Sequence, residues 1–314
     1  MTGAAFRLLY GPVGFRYSST MSPARFSWLL FGAALALIAP NARAWGDDGH
    51  RVVGELGWRY LTPTARARVS EALTEPGYES LAEAATWSDT FARRFPEYDP
   101  MKPFHYVNVD AQAPSYLRER DCANGCVVTA LTQFIALLES RDPGLSLAER
   151  RRAIYWIAHL LGDIHQPLHL AHPDGRGGTA TLLPFFEAPD KRSAHWIWDF
   201  GLIERRPPAA SPASDAVASD QPLFRALADE LAAGLTPGKV RAFQRTLSPE
   251  ALANEGLALS RRYAYLRSTD TVDATYQRSR WPIVVTQLQK AGVRLAAVLN
   301  HALGAPEPGA LQRR

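Results

Sequence analysis

The sequence predicts a mainly α-helical protein with a single domain and one small β-hairpin. Several segments begin with a helix N-cap signal and continue with apolar residues at helical spacing. Only one short segment has the pattern of a strand, and no linker separates two apolar cores. With 314 residues and 46% hydrophobic composition, the chain is long enough to bury one substantial core.

The first 44 residues are predicted to be a cleaved secretory signal peptide. Arg25 precedes an eleven-residue apolar run from Trp28 to Ile38, and the small residues of "NARA" lie directly before Trp45. This run is shorter than the roughly 20 residues that span a bilayer, so a cleaved signal is favoured over a membrane anchor. Translation starts either at Met1 or at Met21. We therefore expect an exported protein, periplasmic or secreted, whose functional domain covers residues 45–314.

The formal net charge of +4 belongs to the leader rather than to the predicted domain. Four of the 35 basic residues, and none of the 31 acidic residues, lie within residues 1–44. The remaining chain is formally neutral, so its overall charge gives no indication of nucleic-acid binding.

Three helix starts carry specific capping signals. Ser146 and Glu149 have the spacing of a capping box at the start of a helix over residues 146–162. Thr62 and Ser248 each precede a proline at the first helical position. Further helices are predicted over residues 79–95, 129–140, 193–204, 220–235 and 276–303.

The strand candidate is "TATLLPFF", residues 179–186, which follows Gly177 and Gly178 and is expected to pair with a short neighbour. Residues 205–222 are rich in proline, alanine and serine, and are predicted to form a surface loop.

Cys122 and Cys126 are the only two cysteines, in the sequence "DCANGC". They could form a disulfide loop or contribute two zinc ligands. The disulfide is favoured because the protein is predicted to be exported, the spacing differs from the usual C-x-x-C, and no further cysteine is available.

The segment "HLLGDIHQPLHL", residues 159–170, concentrates groups that bind protons or metals. His159 and Asp163 are four residues apart, so on a helix both side chains lie on one face and can hold the same ion. His195 and Asp199 repeat this spacing in "HWIWD". His169 follows Pro167, where the first helix must kink or end, and is expected to approach from another direction.

Three upstream motifs supply further candidate ligands. They are Asp89 in "WSD", His105 in "HYVN", and His50 in "WGDDGH". Cleavage before Trp45 would expose an α-amine, and the reference pKa of such an amine, near 8, is low enough for metal binding.

These motifs, in this order, resemble the secreted single-strand-specific zinc nucleases, also called type I nucleases or 3′-nucleotidase/nucleases. Zinc-dependent phospholipases C are their distant relatives. The resemblance covers essentially the whole of residues 45–314, and it implies the helical fold of the phospholipase C/single-strand nuclease type. It also implies three Zn²⁺ ions. The first ion would bind Asp89, His105 and His159. The second would bind His50 and the amine and carbonyl oxygen of Trp45, and Asp163 would bridge the first and second ions. The third would bind His169, His195 and Asp199.

The function that the resemblance implies is hydrolysis of single-stranded RNA and DNA to 5′-phosphorylated products, with activity on 3′-nucleotides. Zinc lowers the pKa of a bound water to about 7, and two close ions can clamp the attacking and leaving oxygens of a phosphoryl displacement. Asp89 would orient the attacking water. We expect a monomer without a stable membrane partner. The alternatives are a zinc-dependent phospholipase C and a non-catalytic protein that zinc stabilises.

The sequence departs from the family pattern at three positions. Ala92 stands where an arginine or lysine is usual, so the transition-state cation is supplied by Arg93, by Arg94 or by neither. Thr179 replaces an asparagine that contacts the base, and Asn108 stands where many members have aspartate. Substrate preference is therefore expected to differ. The remaining histidines, His165, His172 and His301, are not predicted to be ligands.

Overall fold

Two long helices, one at each end of the described chain, cross and form much of the core. The computed structural model describes residues 45–140, 142–207 and 222–304. Helix α1 is Asp47–Arg59, and the last helix, α13, is Ala274–Gly304. A Cβ atom on Gly292 of α13 would lie 2.4 Å from the Leu56 Cβ of α1. The two backbones approach this closely because glycine occupies the crossing point.

The longest of the other elements are the helices Val127–Glu139 and Leu147–Asp163, which pack against each other. In chain order, these other elements are α2 (Pro63–Ala72), α3 (Leu81–Ala84), α4 (Trp87–Thr90), α5 (Arg118–Asp121), α6 (Val127–Glu139), α7 (Leu147–Asp163), strands β1 (Leu182–Leu183) and β2 (Arg192–Ser193), α8 (Ala194–Trp196), α9 (Leu202–Glu204), α10 (Leu223–Ala233), α11 (Pro237–Phe243) and α12 (Pro249–Leu259).

The mainly helical fold predicted from the sequence is confirmed. Helix α7 begins with the expected capping box, in which the Ser146 hydroxyl accepts from Glu149 N–H and the Glu149 carboxylate accepts from Ser146 N–H. The helix ends at Asp163, four residues before Pro167, as the proline predicted. The Thr62 hydroxyl caps α2, whereas Ser248 precedes α12 without a side-chain cap.

The continuous helix predicted over residues 79–95 is wrong. The chain instead forms α3 and α4, followed by 3₁₀ segments at Ala92–Arg94 and Pro96–His105. The Thr86 hydroxyl donates to the Glu83 carbonyl at 2.8 Å, and a hydroxyl that bonds the backbone in this way competes with continuation of a helix. Three prolines then prevent α-helix formation up to His105.

The hairpin exists but is shorter than residues 179–186. Leu182 pairs with Ser193 and Leu183 with Arg192 in an antiparallel register. Pro184 has no N–H to continue the ladder. On the other side, Ala180 N–H donates to the Asp174 carboxylate, 3.2 Å away, instead of to a strand.

The helix predicted over residues 193–204 contains a π segment. It runs from α8 through π-helical Ile197–Gly201 into α9. Single π turns of this kind are frequent at functional sites, and this one carries Asp199.

The two cysteines are joined in a disulfide, Cys122–Cys126, directly before α6. The predicted leader and most of the predicted loop over residues 205–222 lie outside the described residues. Among the described helices, none is both long and apolar enough to cross a membrane.

Candidate metal centre

The Asp163 carboxylate, fully buried at the end of α7, lies within reach of three imidazole rings from three parts of the chain. Its Oδ2 atom is 3.1 Å from His159 Nε2 and 3.1 Å from His105 Nδ1. Its Oδ1 atom is 3.5 Å from His50 Nε2. Helix α1, the long 3₁₀ segment and α7 therefore converge on one carboxylate.

Asp89, His105 and His159 form one group of potential ligands. One side-chain atom from each lies within 4.8 Å of the others. The closest pair is His105 Nδ1 and His159 Nε2, 2.9 Å apart. Asp89 reaches this point from α4, and its Oδ1 atom is 4.0 Å from His105 Nδ1.

His50, His159 and Asp163 form a second group with the same spread of ligand atoms. The rings of His50 and His159 are stacked, with centroids 4.0 Å apart. The His50 ring also lies against Gly162, where a Cβ atom would come within 2.7 Å of His50 Nδ1. A glycine is therefore required on this face of α7.

Trp45, the first described residue, has a fully enclosed side chain. The next residue, Gly46, donates its N–H to the Asp199 carbonyl oxygen at 2.9 Å, which ties the start of the described chain to the π segment. The role of the Trp45 amine as a ligand stays a prediction.

His169, His195 and Asp199 form the third group. His195 Nε2 lies 3.1 Å from Asp199 Oδ2, and the rings of His169 and His195 are stacked with centroids 5.0 Å apart. The group adjoins the others because His169 Nδ1 is 3.7 Å from Asp163 Oδ1. The structure thus brings together the side chains of all eight ligand candidates other than Trp45.

Main-chain carbonyl oxygens orient three of the imidazole rings by accepting hydrogen bonds from them. In each ring Nδ1 donates to a carbonyl oxygen, so Nε2 keeps its lone pair and faces the other ligand candidates. The pairs are His159 with Ala85 at 2.8 Å, His169 with His105 at 2.7 Å, and His195 with Gly177 at 2.8 Å. Sequence reasoning could not find these contacts, because the acceptors are main-chain atoms.

Buried polar atoms without hydrogen-bond partners gather where the groups meet. Within the described part of the chain, they include both Asp163 oxygens, Asp199 Oδ2, and Nε2 of His50, His169 and His195. Buried acceptors are normally paired, and buried charges are paired or bind metals. Imidazole nitrogen and carboxylate oxygen suit Zn²⁺, so the residues fit the zinc site that the sequence predicts.

The electrostatics also suit divalent cations. Burial would raise the pKa of Asp163, but His159, His105 and His50 hold it well below its ordinary value. Burial opposes protonation of His159, yet the Asp163 carboxylate raises the pKa of this ring to about 9. The carboxylate therefore attracts positive charge to the His159 nitrogen, where a metal ion can take the place of the proton.

Arg93 lies beside Asp89, whereas Arg94 is exposed. Arg93 Nη2 donates to Asp89 Oδ1 at 2.9 Å. Burial would raise the pKa of Asp89, but His159, His105 and Arg93 lower it, so the carboxyl is ionised and accepts hydrogen bonds. Arg93 thus places a positive charge beside Asp89, one residue after position 92, where the family pattern has its arginine or lysine.

The other three histidines lie outside the three groups. His165 is buried and donates from Nδ1 to the Leu161 carbonyl, and His172 contacts the Leu266 carbonyl from a loop. His301 is an exposed residue of α13.

Of the three positions where the sequence departs from the family pattern, Ala92 is buried, Thr179 is half-buried and Asn108 is exposed. Tyr106, two residues before Asn108, is 40% exposed. The Thr179 hydroxyl donates to the Arg176 carbonyl at 2.9 Å, so it is engaged with its own loop.

Known proteins are similar to this chain over most of its length. The family model described as S1/P1 Nuclease matches residues 45–304. The chain is 30% identical to Endonuclease 2 of Arabidopsis thaliana over 295 residues, which cover 88% of this chain and 94% of that protein. It is 27% identical to Endonuclease 4 of the same plant, over 90% of this chain and 96% of the relative. It is 25% identical to Nuclease S1 of Aspergillus oryzae, with 88% and 98% covered.

Proposed function

The chain belongs to the S1/P1 nuclease family, and we propose that it is an exported zinc-dependent nuclease. Its substrates are single-stranded RNA and DNA, which it hydrolyses to 5′-phosphorylated products, and it also removes phosphate from 3′-nucleotides. The observation that carries the proposal is the convergence of three buried His/Asp groups on adjoining positions around Asp163.

Three Zn²⁺ ions are assigned to nine residues. Asp89, His105 and His159 would hold the first ion. His50 and the amine of Trp45 would hold the second, and Asp163 would be shared by these two sets. His169, His195 and Asp199 would hold the third. When bound, zinc supplies Lewis-acid polarisation of the phosphodiester and a lowered pKa for a water at the site.

Two protein side chains act on the attacking water and on the phosphate, while the P–O3′ bond breaks and the leaving 3′ oxygen takes a proton from solvent. Asp89 is the catalytic residue, and its ionised carboxylate accepts a hydrogen bond from the attacking water and so orients it towards phosphorus. Its pKa is low enough for this role near neutral pH. The adjacent Arg93 guanidinium, 2.9 Å from Asp89, donates to the non-bridging phosphate oxygens as negative charge develops on them. Arg94, the next residue, is exposed and has no such contact with Asp89.

One exposed aromatic side chain next to the centre is suited to binding a single-stranded nucleic acid. Tyr106 follows the ligand His105 and presents 40% of its surface, so a base of an unpaired strand can stack on its ring. A duplex holds its bases in pairs and cannot offer them in this way without unpairing.

The test is metal content together with product analysis, on protein with a sequenced amino terminus. We expect about three zinc ions per chain, and cleavage of single-stranded oligonucleotides into fragments with 5′-phosphate ends, identified by mass spectrometry. The His169→Asn variant should lose zinc and at least 100-fold in activity. The His301→Asn variant, altered at an exposed histidine, should retain both.

Parallel assays separate the alternatives. Hydrolysis of phosphatidylcholine vesicles without cleavage of DNA would replace the nuclease with a phospholipase C. Bound zinc without hydrolysis of any of these substrates would leave a structural role for the metal.

A further inference from the structure

Gln166 connects two ligand-bearing segments through the two ends of its side-chain amide. The residue is fully buried between the end of α7 and the 3₁₀ turn Pro167–His169. Its Nε2 atom donates a short hydrogen bond to Asp199 Oδ1, and its Oε1 atom accepts from Leu168 N–H at 2.6 Å.

The orientation of this amide is dictated by its neighbours. An ionised carboxylate only accepts hydrogen bonds and a main-chain N–H only donates, so the nitrogen must face Asp199 and the oxygen must face Leu168. A flipped amide would break both contacts. Only one orientation of the Gln166 amide therefore makes both hydrogen bonds.

The bond to Asp199 determines which carboxylate oxygen faces the site. Oδ1 is occupied by Gln166, so Oδ2 is directed towards His195 Nε2, 3.1 Å away. Oδ2 is buried and has no hydrogen-bond partner among the described residues. Only one oxygen of Asp199 is thus left for another ligand, in a fixed direction.

The 3₁₀ turn has supports that do not depend on the Gln166 side chain. The Ser260 hydroxyl donates to the Pro167 carbonyl, and the side-chain amide of Gln287 donates to the His165 carbonyl at 2.9 Å. His169 is also held by the His105 carbonyl. Removing the Gln166 amide should therefore free Asp199 without unfolding the turn.

We propose that Gln166 is a positioning residue for the third metal position: it orients Asp199 relative to His169 and so sets the affinity of that position for zinc. The inference rests on the proposed function, because it assumes that His169, His195 and Asp199 hold a metal ion. Residues that hydrogen-bond to metal ligands typically contribute about 10- to 100-fold to metal affinity.

Two variants separate orientation of Asp199 from support of the turn. Gln166→Met keeps the approximate side-chain length and removes both hydrogen bonds. Gln166→Glu keeps an acceptor for Leu168 N–H and, in its ionised form, offers no donor to Asp199. The added negative charge alone would strengthen cation binding, so weaker binding by the glutamate variant would report lost orientation. Gln289→Met is the matched control, because Gln289 is equally buried but donates to the Leu231 carbonyl of α10.

The measurement is a zinc titration against a chelator series on the zinc-loaded full-length domain, with circular dichroism on the same samples. We expect one zinc of three to bind about 10- to 100-fold more weakly in both Gln166 variants, with helical content retained. The Gln289→Met control should bind three ions as the parent does.

The outcomes distinguish this inference from the proposed function. If the parent binds three ions and the Gln166→Glu variant binds all of them with parental affinity, Gln166 does not position Asp199. If the parent itself binds no zinc, the proposed function and this inference both fall.

Discussion

The guanidinium of Arg93 donates to the Asp89 carboxylate across one helical turn, with 2.9 Å between Nη2 and Oδ1. This contact places a positive charge at a site where the proposed chemistry develops negative charge on phosphate. The neighbouring Arg94 has the same charge and lies one residue further along the 3₁₀ segment, but it is exposed.

Arg93→Ala should reduce kcat on single-stranded DNA by about 100- to 1,000-fold, the usual cost of removing one donor to a transition-state oxyanion. The Michaelis constant should change much less. Arg94→Ala serves as the matched control and should stay within about threefold of the parent. Equal losses in the two variants would mean that general surface charge, rather than the contact with Asp89, is responsible.

Gly162→Ala should weaken zinc binding although alanine is the better helix former. The new methyl group would come within 2.7 Å of His50 Nδ1 and displace that ring. Zinc content after dialysis checks the effect, and we expect fewer than three ions per chain. Gly238→Ala is the control, because its nearest neighbouring atom would be 3.9 Å away. It should retain zinc and gain about 0.4–1 kcal/mol of stability.

A domain with one additional residue before Trp45 should fold but lose most of its activity. The amine would become an amide, which has no basic lone pair, and the buried position of Trp45 leaves little room for a substitute ligand. Activity and zinc content would be measured on protein whose amino terminus is verified by mass spectrometry. Full activity in the extended protein would remove Trp45 from the ligand set.

Glu255→Gln should destabilise the protein at neutral pH and have progressively less effect in acid. Burial raises the pKa of Glu255, but Arg294 and Lys290 lower it to about 2, from an ordinary value of 4.5. The folded state therefore favours the ionised form above pH 4.5, and this contribution is lost as the pH falls from 4.5 towards 2.

We expect the difference in unfolding free energy between the parent and Glu255→Gln to be about 2 kcal/mol at pH 7, after allowance for partial exposure. Loss of metal in acid affects both proteins and cancels in this difference. Denaturant unfolding at a series of pH values provides the measurement. A difference that stays constant down to pH 2 would show that the ion pairs are not its source.

The sequence predicted the helices with strong local signals and missed the places where side chains compete with the backbone. The capping box at Ser146 and the proline at 167 are local features, and both boundaries are found where they were expected. The break at Thr86 depends on which carbonyl its hydroxyl contacts, and spacing alone does not reveal that choice. The hairpin was predicted too long for a related reason, because the Asp174 side chain takes an N–H that a strand would use.

For the candidate site, spacing pointed to two pairs of side chains and the family resemblance to the other candidates, but neither showed what holds them in place. Histidine and aspartate at i and i+4 predicted the pairs 159/163 and 195/199, and the structure brings both pairs to the centre. The carbonyl oxygens behind the rings carry no sequence signal, since every residue has one. Gln166 was visible inside "HLLGDIHQPLHL", but its contact with Asp199 spans 33 residues and requires the fold.

The meeting of α1, the long 3₁₀ segment and α7 at one buried carboxylate has a consequence for the lifetime of the molecule. If the centre holds zinc as proposed, the segments that carry His50 and His105 would lose a shared anchor in zinc-poor surroundings and become more accessible to proteases. Scarcity of the metal should then lower the amount of protein that survives, as well as the rate at which each copy works.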